Sequence, residues 1–323
     1  MTDSSWAQQA TDRFFGDRKS PSQKQCDEIA RSISGASTVS PVDSPGSMSY
    51  YRQHGVMLDA DIVKLAKEIH SDLIPESTFH ANIEAADPPL FICSMPFLRG
   101  SSYIEVQPFG VEIDPNEQSK QGVFVKHLAR YFARCWPNPQ PVDSQTQAQK
   151  QQEIQKRLIR LAEESPPVLP KSVLSKLIEA LPSLFGRGYP QVLTHNDFSV
   201  TNILVDDNTF EITGIVDWSL TTVMPFGLDL DMLFLATGFM TLDGWHDYAC
   251  KPQLQDLFWD EFWVSSGVED EDLRRKTQDL AKTAGQIGAI LRLAFRRNDD
   301  GSPSEEVLVS ERRIGQLKAW FND

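Results

Sequence analysis

The feature that most restricts the fold of this chain is a polar loop followed by a short β-hairpin within residues 192–231. This stretch reads VLTHNDFSVTNILVDDNTFEITGIVDWSLTTVMPFGLDLD. The apolar segments NILV and EITGIV flank the turn residues 206–209, and this pattern predicts two antiparallel strands. Asn202 begins the first strand and Asp217 ends the second. Because a hairpin brings these ends together, we expect Asn202 and Asp217 to lie about one metal coordination sphere apart.

The polar side chains at this end of the hairpin suit phosphoryl transfer. Asn202 and Asp217 offer an amide and a carboxylate oxygen, hard ligands that suit an Mg²⁺ ion which keeps its waters and bridges nucleotide phosphates. Asp197, five residues before Asn202, would lie between this metal site and an incoming hydroxyl group, which it would orient and deprotonate. We expect His195 to order the catalytic loop rather than to act as the base, and the plain alternative is a core histidine bonded to the backbone.

The same stretch resembles the catalytic core of the aminoglycoside phosphotransferase and choline kinase-like family, whose members are small-molecule relatives of the protein kinases. The loop motif of that family, H-x-D-x4-N, is matched by residues 195–202, and its metal-binding I-D-W is matched by V-D-W at 216–218. The resemblance covers most of the chain, from about Ser34 to the final helices, and is closest to fungal phosphotransferase-like proteins. It implies an α+β protein with a bilobal protein kinase-like fold, in which a reduced N-terminal β lobe precedes a larger, mainly helical C-terminal lobe.

The resemblance also implies ATP and Mg²⁺ as cofactors and a phosphotransferase that acts on a small-molecule hydroxyl. A protein kinase is less well supported, because no D-F-G or A-P-E segment follows Asp217. The acceptor pocket would come from the segments around 240–270 and the C-terminal helices, which do not name the acceptor. Asp229 and Asp231 add negative charge near the site, which would suit a cationic acceptor such as an amine, although bracing of the catalytic loop is the favoured role for Asp229.

We expect the two lobes to divide between residues 99 and 100. Residues 1–99 would comprise N-terminal helices and a small nucleotide-binding lobe, with a helix at 58–73 and a buried strand within 88–98. Residues 100–323 would form the catalytic and substrate lobe. The helices predicted there include 122–136, 169–185, 256–263 and 304–321. The aromatic residues of 256–263 fall at helical spacing, which predicts that they pack in the core.

Two segments of the small lobe are candidates for binding the nucleotide. SMPFLRG (94–100) is similar to the segment between the lobes whose backbone contacts adenine in such kinases, which makes Met95 and Phe97 candidate contacts. Gly46 would allow close backbone approach to the phosphates, and the adjacent Ser47 hydroxyl could contact them. An ordinary surface turn is the alternative for this second segment.

An arginine and an aspartate are the candidate pair that steadies the phosphates. In the resembling proteins an aromatic-Arg pair precedes the first helix, and Tyr51-Arg52 stands at the matching distance, which makes Arg52 the candidate cation. Asp61, in the first turn of the predicted helix, is its candidate partner. The alternative is a solvated arginine and a helix-capping aspartate.

The segment around Tyr50 and Tyr51 is shorter than the resemblance leads us to expect. About a dozen residues, roughly two short strands, are absent relative to the resembling proteins. Either the lobe is trimmed and nucleotide binding is weak or lost, or the sequence derives from a mis-spliced gene model. A trimmed lobe would make the chain a catalytically weak or inactive kinase-like binding protein, whereas the intact catalytic loop favours an enzyme.

Charge and composition exclude several other classes of protein. Lys and Arg number 31 against 45 Asp and Glu, a formal net charge of −14. That excess would repel phosphate backbones and anionic membranes, so we expect a nucleotide and a small-molecule acceptor as partners, but neither nucleic acid nor a membrane. The chain has no apolar run near the roughly 20 residues of a membrane span, no apolar signal core near its start and no CxxC pair, which favours a cytoplasmic protein.

Overall fold

The computed structural model of the chain describes two isolated positions and six continuous segments. These are Asp12, Phe15 and residues 22–38, 59–83, 90–164, 168–298, 303–308 and 310–321. In this part of the chain, none of the helices is both long enough and apolar enough to span a membrane.

Helices form most of the described chain. They are α1 Gln23–Ser34, α2 Ala60–His70, α3 Tyr103–Val106, α4 Pro115–Cys135, α5 Ser144–Glu163, α6 Lys171–Leu184, α7 Met232–Leu235, α8 Lys251–Ser266, α9 Glu271–Leu293 and α10 Glu311–Phe321. Short 3₁₀ turns follow α2 at Ser71–Leu73 and precede β7 at Trp218–Leu220. Helices α2, α4, α5 and α9 begin where an aspartate side chain accepts hydrogen bonds from free backbone N–H groups. These aspartates are Asp59, Asp114, Asp143 and Asp270. Each also complements the positive end of the helix dipole.

The strands form five small antiparallel sheets among the described residues. They are β1 Thr78–Ile83, β2 Leu90–Ser94, β3 Ser101–Ser102, β4 Gln191–Thr194, β5 Ile203–Val205, β6 Ile212–Ile215, β7 Thr222–Pro225, β8 Gly238–Thr241, β9 Gly244–Asp247, β10 Phe295–Arg297 and β11 Pro303–Val307. The pairs are β1 with β2, β4 with β7, β8 with β9 and β10 with β11, while β3, β5 and β6 form a three-stranded sheet in that order. The predicted α+β class is therefore confirmed.

The hairpin predicted around residues 206–209 is present. Ile203 lies opposite Ile215 in the antiparallel pair of β5 and β6. The turn closes with a hydrogen bond of 3.0 Å from Asp206 N to Glu211 O. The start of β5 and the end of β6 therefore lie side by side, as the hairpin pattern predicts.

The core of the helical part lies where α4 packs on α8. Phe124 and Phe132 of α4 are buried, and so are Phe258 and Phe262 of α8. The rings of Phe132 and Phe258 meet edge to face with their centroids 6.0 Å apart. Each fully buried phenylalanine contributes about 1.5–3 kcal/mol relative to an exposed one. The prediction that the aromatic residues of 256–263 pack in the core is confirmed, within a helix that extends over Lys251–Ser266.

The strand predicted within 88–98 is shorter and less buried than expected. It spans Leu90–Ser94, and the side chains of residues 91–94 are half-buried. The strand pairs with β1 in a two-stranded sheet, and the β1 side chains are almost all exposed. A sheet of two strands has little apolar surface to cover, which explains the partial burial.

The prediction of one helix over 304–321 is wrong in its first half. Residues Pro303–Val307 form β11, and the helix begins at Glu311. Phe295 of β10 lies opposite Val307, and Arg296 forms a 3.0 Å ion pair with Glu306 across the hairpin. Pairing with a distant strand overrides the local preference of these residues, as is common for short segments.

Candidate functional site

The loop between β4 and β5 is fastened to the end of β6 by a buried histidine. His195 Nε2 lies 2.9 Å from the backbone oxygen of Val216. Its other ring nitrogen, Nδ1, accepts a hydrogen bond of 3.3 Å from Asp197 N. The pair of contacts requires a proton on Nε2 and a lone pair on Nδ1, which is the arrangement of a neutral imidazole. His195 thus joins the loop that carries Asp197 to the strand that leads to Asp217.

The carboxylate of Asp229 also holds this loop. Asp229 accepts a hydrogen bond of 2.7 Å from His195 N and one of 3.2 Å from Asn196 N. Burial raises the pKa of Asp229, and the charge of Arg292 and the hydrogen bonds from the backbone of His195 and Asn196 oppose that rise. Asn196 has a left-handed backbone, with φ of 61°. Asp229 therefore braces the tight turn of the catalytic loop, the role favoured for it from the sequence.

Asn202 and Asp197 are in direct contact. Asn202 Nδ2 donates a hydrogen bond of 2.8 Å to Asp197 O and lies 3.3 Å from Asp197 Oδ2. The backbone of Asn202 accepts a hydrogen bond of 3.0 Å from Val216 N. The loop and the hairpin therefore bring Asp197, Asn202 and the residue just before Asp217 into one site.

Asp217 follows β6 in a backbone conformation that few non-glycine residues adopt. Its φ is 65° and its ψ is 61°, in the left-handed region. Such a residue costs free energy of about 1 kcal/mol, less for aspartate than for most side chains, and such strain clusters at functional sites. Asp217 Oδ1 accepts a hydrogen bond of 2.7 Å from Ser219 Oγ, which fixes the direction of the carboxylate.

The donor set at the end of the hairpin has the chemistry that Mg²⁺ requires. Asn202 offers an amide oxygen and Asp217 a carboxylate, and both are hard oxygen ligands. Within the described residues, no group of three or more His, Cys, Asp or Glu side chains could hold a metal ion. An ion here would therefore take few ligands from this part of the protein, as Mg²⁺ does when it bridges nucleotide phosphates. The residues present fit such an ion.

A cavity of about 450 Å³ opens beside Asp197. Asp197 and Ser199 line it from the catalytic loop, and three arginines and a glutamine line it from the C-terminal elements. These four residues are Arg292, Arg297, Arg313 and Gln316. Arg297 lies 3.4 Å from Asp197 Oδ1 and donates a hydrogen bond of 2.7 Å to Asn196 O.

The sequence does not predict that these arginines lie beside Asp197. Arg297 is 100 positions from Asp197 along the chain, so no local motif relates the two residues. The one available signal was the basic segment at 292–297 in a chain of strongly negative charge.

The segment that was expected to contact adenine runs along the hairpin. Met95 and Phe97 follow β2, and their side chains are half and almost fully exposed. The Thr213 hydroxyl of β6 donates a hydrogen bond to Arg99 O. At Gly100, φ is 108° and a Cβ atom would lie 2.3 Å from Val205 O, so only glycine permits this approach to β5. Contact of Met95 and Phe97 with adenine stays a prediction.

Of the four residues predicted to act at the nucleotide phosphates, the structure describes one, Asp61. Asp61 lies exposed in the first turn of α2, where its backbone N–H donates a hydrogen bond of 2.9 Å to Asp59 Oδ1. Its candidate partner Arg52 lies outside the described residues, and so do Gly46 and Ser47. Their roles at the phosphates stay predictions.

The sequence of residues 92–256 matches the family model described as the phosphotransferase enzyme family, APH. The match covers just over half of the chain and contains both the catalytic loop and the hairpin. The chain therefore belongs to the phosphotransferase enzyme family. A comparison with curated proteins finds no match.

Solved structures that match this chain include two aminoglycoside phosphotransferases and an ethanolamine kinase. The aminoglycoside-3'-phosphotransferase of type VIII is 15% identical, with 70% of this chain and 78% of that chain covered and a TM-score of 0.41. The ethanolamine kinase of Plasmodium vivax is 13% identical, with 72% and 65% covered and a TM-score of 0.41. APH(3'')-Id of Streptomyces rimosus, in complex with ADP and streptomycin, is 16% identical, with 71% and 85% covered and a TM-score of 0.38. Membership of the family rests on the sequence match.

Proposed function

We propose that this chain is an ATP- and Mg²⁺-dependent phosphotransferase that acts on the hydroxyl group of a small molecule. The observation that carries the proposal is the hydrogen bond of 2.8 Å from Asn202 Nδ2 to Asp197 O, at the end of the hairpin that leads to Asp217. Membership of the phosphotransferase enzyme family supports the reaction class.

Asp197 is the base of the proposed reaction. Its carboxylate orients the acceptor hydroxyl and takes up the proton as the acceptor oxygen bonds to the γ-phosphorus and the bond to the ADP oxygen breaks. Asn202 holds the backbone of Asp197, and Arg297 lies 3.4 Å from Asp197 Oδ1. These contacts fix the carboxylate in one direction. Such positioning supplies much of the rate enhancement in phosphoryl transfer.

Asn202 and Asp217 are the proposed ligands of Mg²⁺. When bound, the ion neutralises charge on the phosphate oxygens. Ser219 Oγ fixes the Asp217 carboxylate with a hydrogen bond of 2.7 Å. The hydrogen bond from Val216 N to Asn202 O and the contact of His195 with Val216 O keep the two ligands at one end of the hairpin.

The nucleotide contacts of the small lobe are proposed from the family resemblance. Residues 1–99 would form the nucleotide-binding lobe and residues 100–323 the catalytic and substrate lobe. The proposed contacts are Met95 and Phe97 beside adenine, Gly46, Ser47 and Arg52 at the phosphates, and Asp61 as the partner of Arg52. A cytoplasmic location and closeness to fungal phosphotransferase-like proteins complete the proposal.

The test is the formation of ADP from ATP with a panel of hydroxyl compounds, for the wild type and for two variants that lose one charge each. Asp197→Asn removes the base and is expected to lower kcat by a factor of about 10²–10⁴. Asp217→Asn replaces the proposed carboxylate ligand with a neutral amide, which binds Mg²⁺ more weakly, and is expected to abolish turnover. The matched control is Asp207→Asn in the exposed turn at the other end of the hairpin, which should behave as the wild type. Turnover like that of the wild type in Asp197→Asn or Asp217→Asn would contradict the assignment.

The alternative function is a kinase-like binding protein with weak or no catalysis. The shortened segment beside Tyr51, which lies outside the described residues, motivates it. A ligand that binds only the folded protein raises its melting temperature. The absence of any such shift at millimolar ATP and Mg²⁺, together with no ADP formation, would favour this alternative.

A further inference from the structure

The cavity beside Asp197 is positively charged, in contrast to the chain as a whole. Its lining contains three arginines, Arg292, Arg297 and Arg313, and a single carboxylate, that of Asp197. The formal net charge of the whole chain is −14. An acidic protein thus concentrates guanidinium groups at the place where an acceptor would meet the proposed base.

Two of the arginines are already held by the protein. Arg292 forms an ion pair with the buried Asp231 and donates a hydrogen bond to Phe198 O. Arg297 contacts Asp197 and Asn196 O. These contacts fix the two guanidinium groups in position at the wall of the cavity.

Arg313 is different, because no hydrogen bond or ion pair joins its side chain to the described residues. Partial burial and the nearby charges of Arg292 and Arg297 lower the pKa of Arg313. Its guanidinium group faces like charges, and an anion in the cavity would relieve that repulsion. Gln316, one turn further along α10, is buried and lines the same cavity.

The aspartates that suggested a cationic acceptor do not line this cavity. The Asp229 carboxylate accepts hydrogen bonds from the backbone of the catalytic loop. The Asp231 side chain is 3% exposed and pairs with Arg292. Neither carboxylate is therefore presented to a molecule in the cavity.

We propose that the cavity binds the acceptor through an anionic group, a carboxylate or a phosphate monoester, that contacts Arg313 and Arg297. This inference rests on the proposed function and names its substrate class. The acceptor hydroxyl faces Asp197, and Gln316 donates to the anionic group from its amide. A planar guanidinium group binds both carboxylate and phosphate through paired hydrogen bonds. A volume of about 450 Å³ holds a small metabolite-sized molecule.

The test uses direct binding to the full chain, so that it does not depend on turnover. Calorimetric titrations compare four compounds that share a three-carbon hydroxylated skeleton. They are glycerate, glycerol 3-phosphate, glycerol and 3-amino-1,2-propanediol. We expect at least one of the two anions to bind the wild type, and the neutral and cationic compounds not to bind. Binding of neither anion at millimolar concentration, or binding of the amine in preference to both, would overturn the proposal.

A charge reversal locates the binding to the cavity. Arg313→Glu is expected to raise the Kd of the bound anion by roughly tenfold or more, and Arg313→Gln by less. The matched control is Arg312→Glu, an identical change at the exposed neighbouring position of α10, which should leave the Kd unchanged. Equal Kd values for Arg313→Glu and Arg312→Glu would place the anion elsewhere and overturn the proposal.

Titration with ATP and Mg²⁺ separates the acceptor from the nucleotide. We expect Arg313→Glu to bind ATP as the wild type does. Loss of ATP binding in this variant would assign the arginines to the nucleotide phosphates and overturn the proposal. Failure of the proposed function itself has a different signature, which is wild-type-like turnover in Asp197→Asn or Asp217→Asn.

Discussion

A second buried histidine, His70, lies against the core beneath the catalytic loop. Its ring stacks on Tyr131 with the centroids 4.2 Å apart, and its Nε2 lies 3.7 Å from Cys135 Sγ. Burial, followed by the charge of Arg134, lowers the pKa of His70 to about 3. The imidazole is therefore neutral in the folded protein over most of the acidic range, whereas it is protonated in the unfolded chain below about pH 6.5.

His70 should make the fold less stable in acid. Between about pH 6.5 and pH 3 the unfolded state binds one more proton, so this contribution is present above pH 6.5 and is lost by about 1.4 kcal/mol per pH unit as the pH falls. His70→Phe keeps an aromatic ring on Tyr131 and removes the titrating group. We expect urea unfolding between pH 6 and pH 4 to show a correspondingly weaker loss of stability in the variant.

The comparison at pH 7.5 isolates the packing effect of this substitution, because the imidazole is then neutral in both states. An unchanged dependence of the free energy of unfolding on pH in His70→Phe would show that other groups control the acid sensitivity.

Among the elements, helix α9 contacts both the segment that carries Asp229 and the cavity beside Asp197. A Cβ atom at Gly288 would lie 1.8 Å from Leu228 O, so the helix backbone lies directly on the segment that carries Asp229. Arg292, which lines the cavity, lies about one turn further along the same helix, near its C-terminal end. Glycine at 288 therefore sets the distance between α9 and the loop that it supports.

Gly288→Ala should force this contact apart. We expect it to lower the free energy of unfolding by about 1–3 kcal/mol, as overpacking in a filled interior does, and to lower turnover with it. Gly315→Ala in α10 is the matched control, because no atom lies within 4 Å of a Cβ there. Alanine at that helical position should stabilise by up to about 1 kcal/mol. Equal free energies of unfolding for the two variants would contradict this view of the α9 contact.

What could be predicted at this scale depended on how local the contacts are. The hairpin of β5 and β6 follows from neighbouring residues, so the proximity of Asn202 to the strand before Asp217 could be predicted. The pairing of β10 with β11 joins residues without a local motif, and the prediction of a helix over the β11 residues is therefore wrong. The convergence of Arg297 and Arg313 on Asp197 also arises from tertiary packing, which has no periodic signature in the sequence.

In the molecule as a whole, the negative net charge of the surface and the positive charge of the cavity affect a bound molecule over different distances. Screening at physiological ionic strength limits the reach of surface charge to about 8 Å. The guanidinium groups of Arg292, Arg297 and Arg313 line the same cavity as Asp197, so their charges act on a molecule bound there at short range. The fold thus combines a helical body, a hairpin with an oxygen donor set, and a basic cavity beside Asp197.

The proposed role of Asn202 and Asp217 as ligands of a magnesium–nucleotide complex beside Asp197 is tested by the Mg²⁺-dependent part of thermal stabilisation by ATP. We expect ATP with Mg²⁺ to raise the melting temperature of the wild type and of Asp207→Asn more than ATP with a chelator does. At a hundred times the Kd this stabilisation would be about 2.7 kcal/mol. We expect Asp217→Asn to lose the Mg²⁺-dependent increment. An increment in Asp217→Asn equal to that of the wild type would show that Asp217 does not bind the ion.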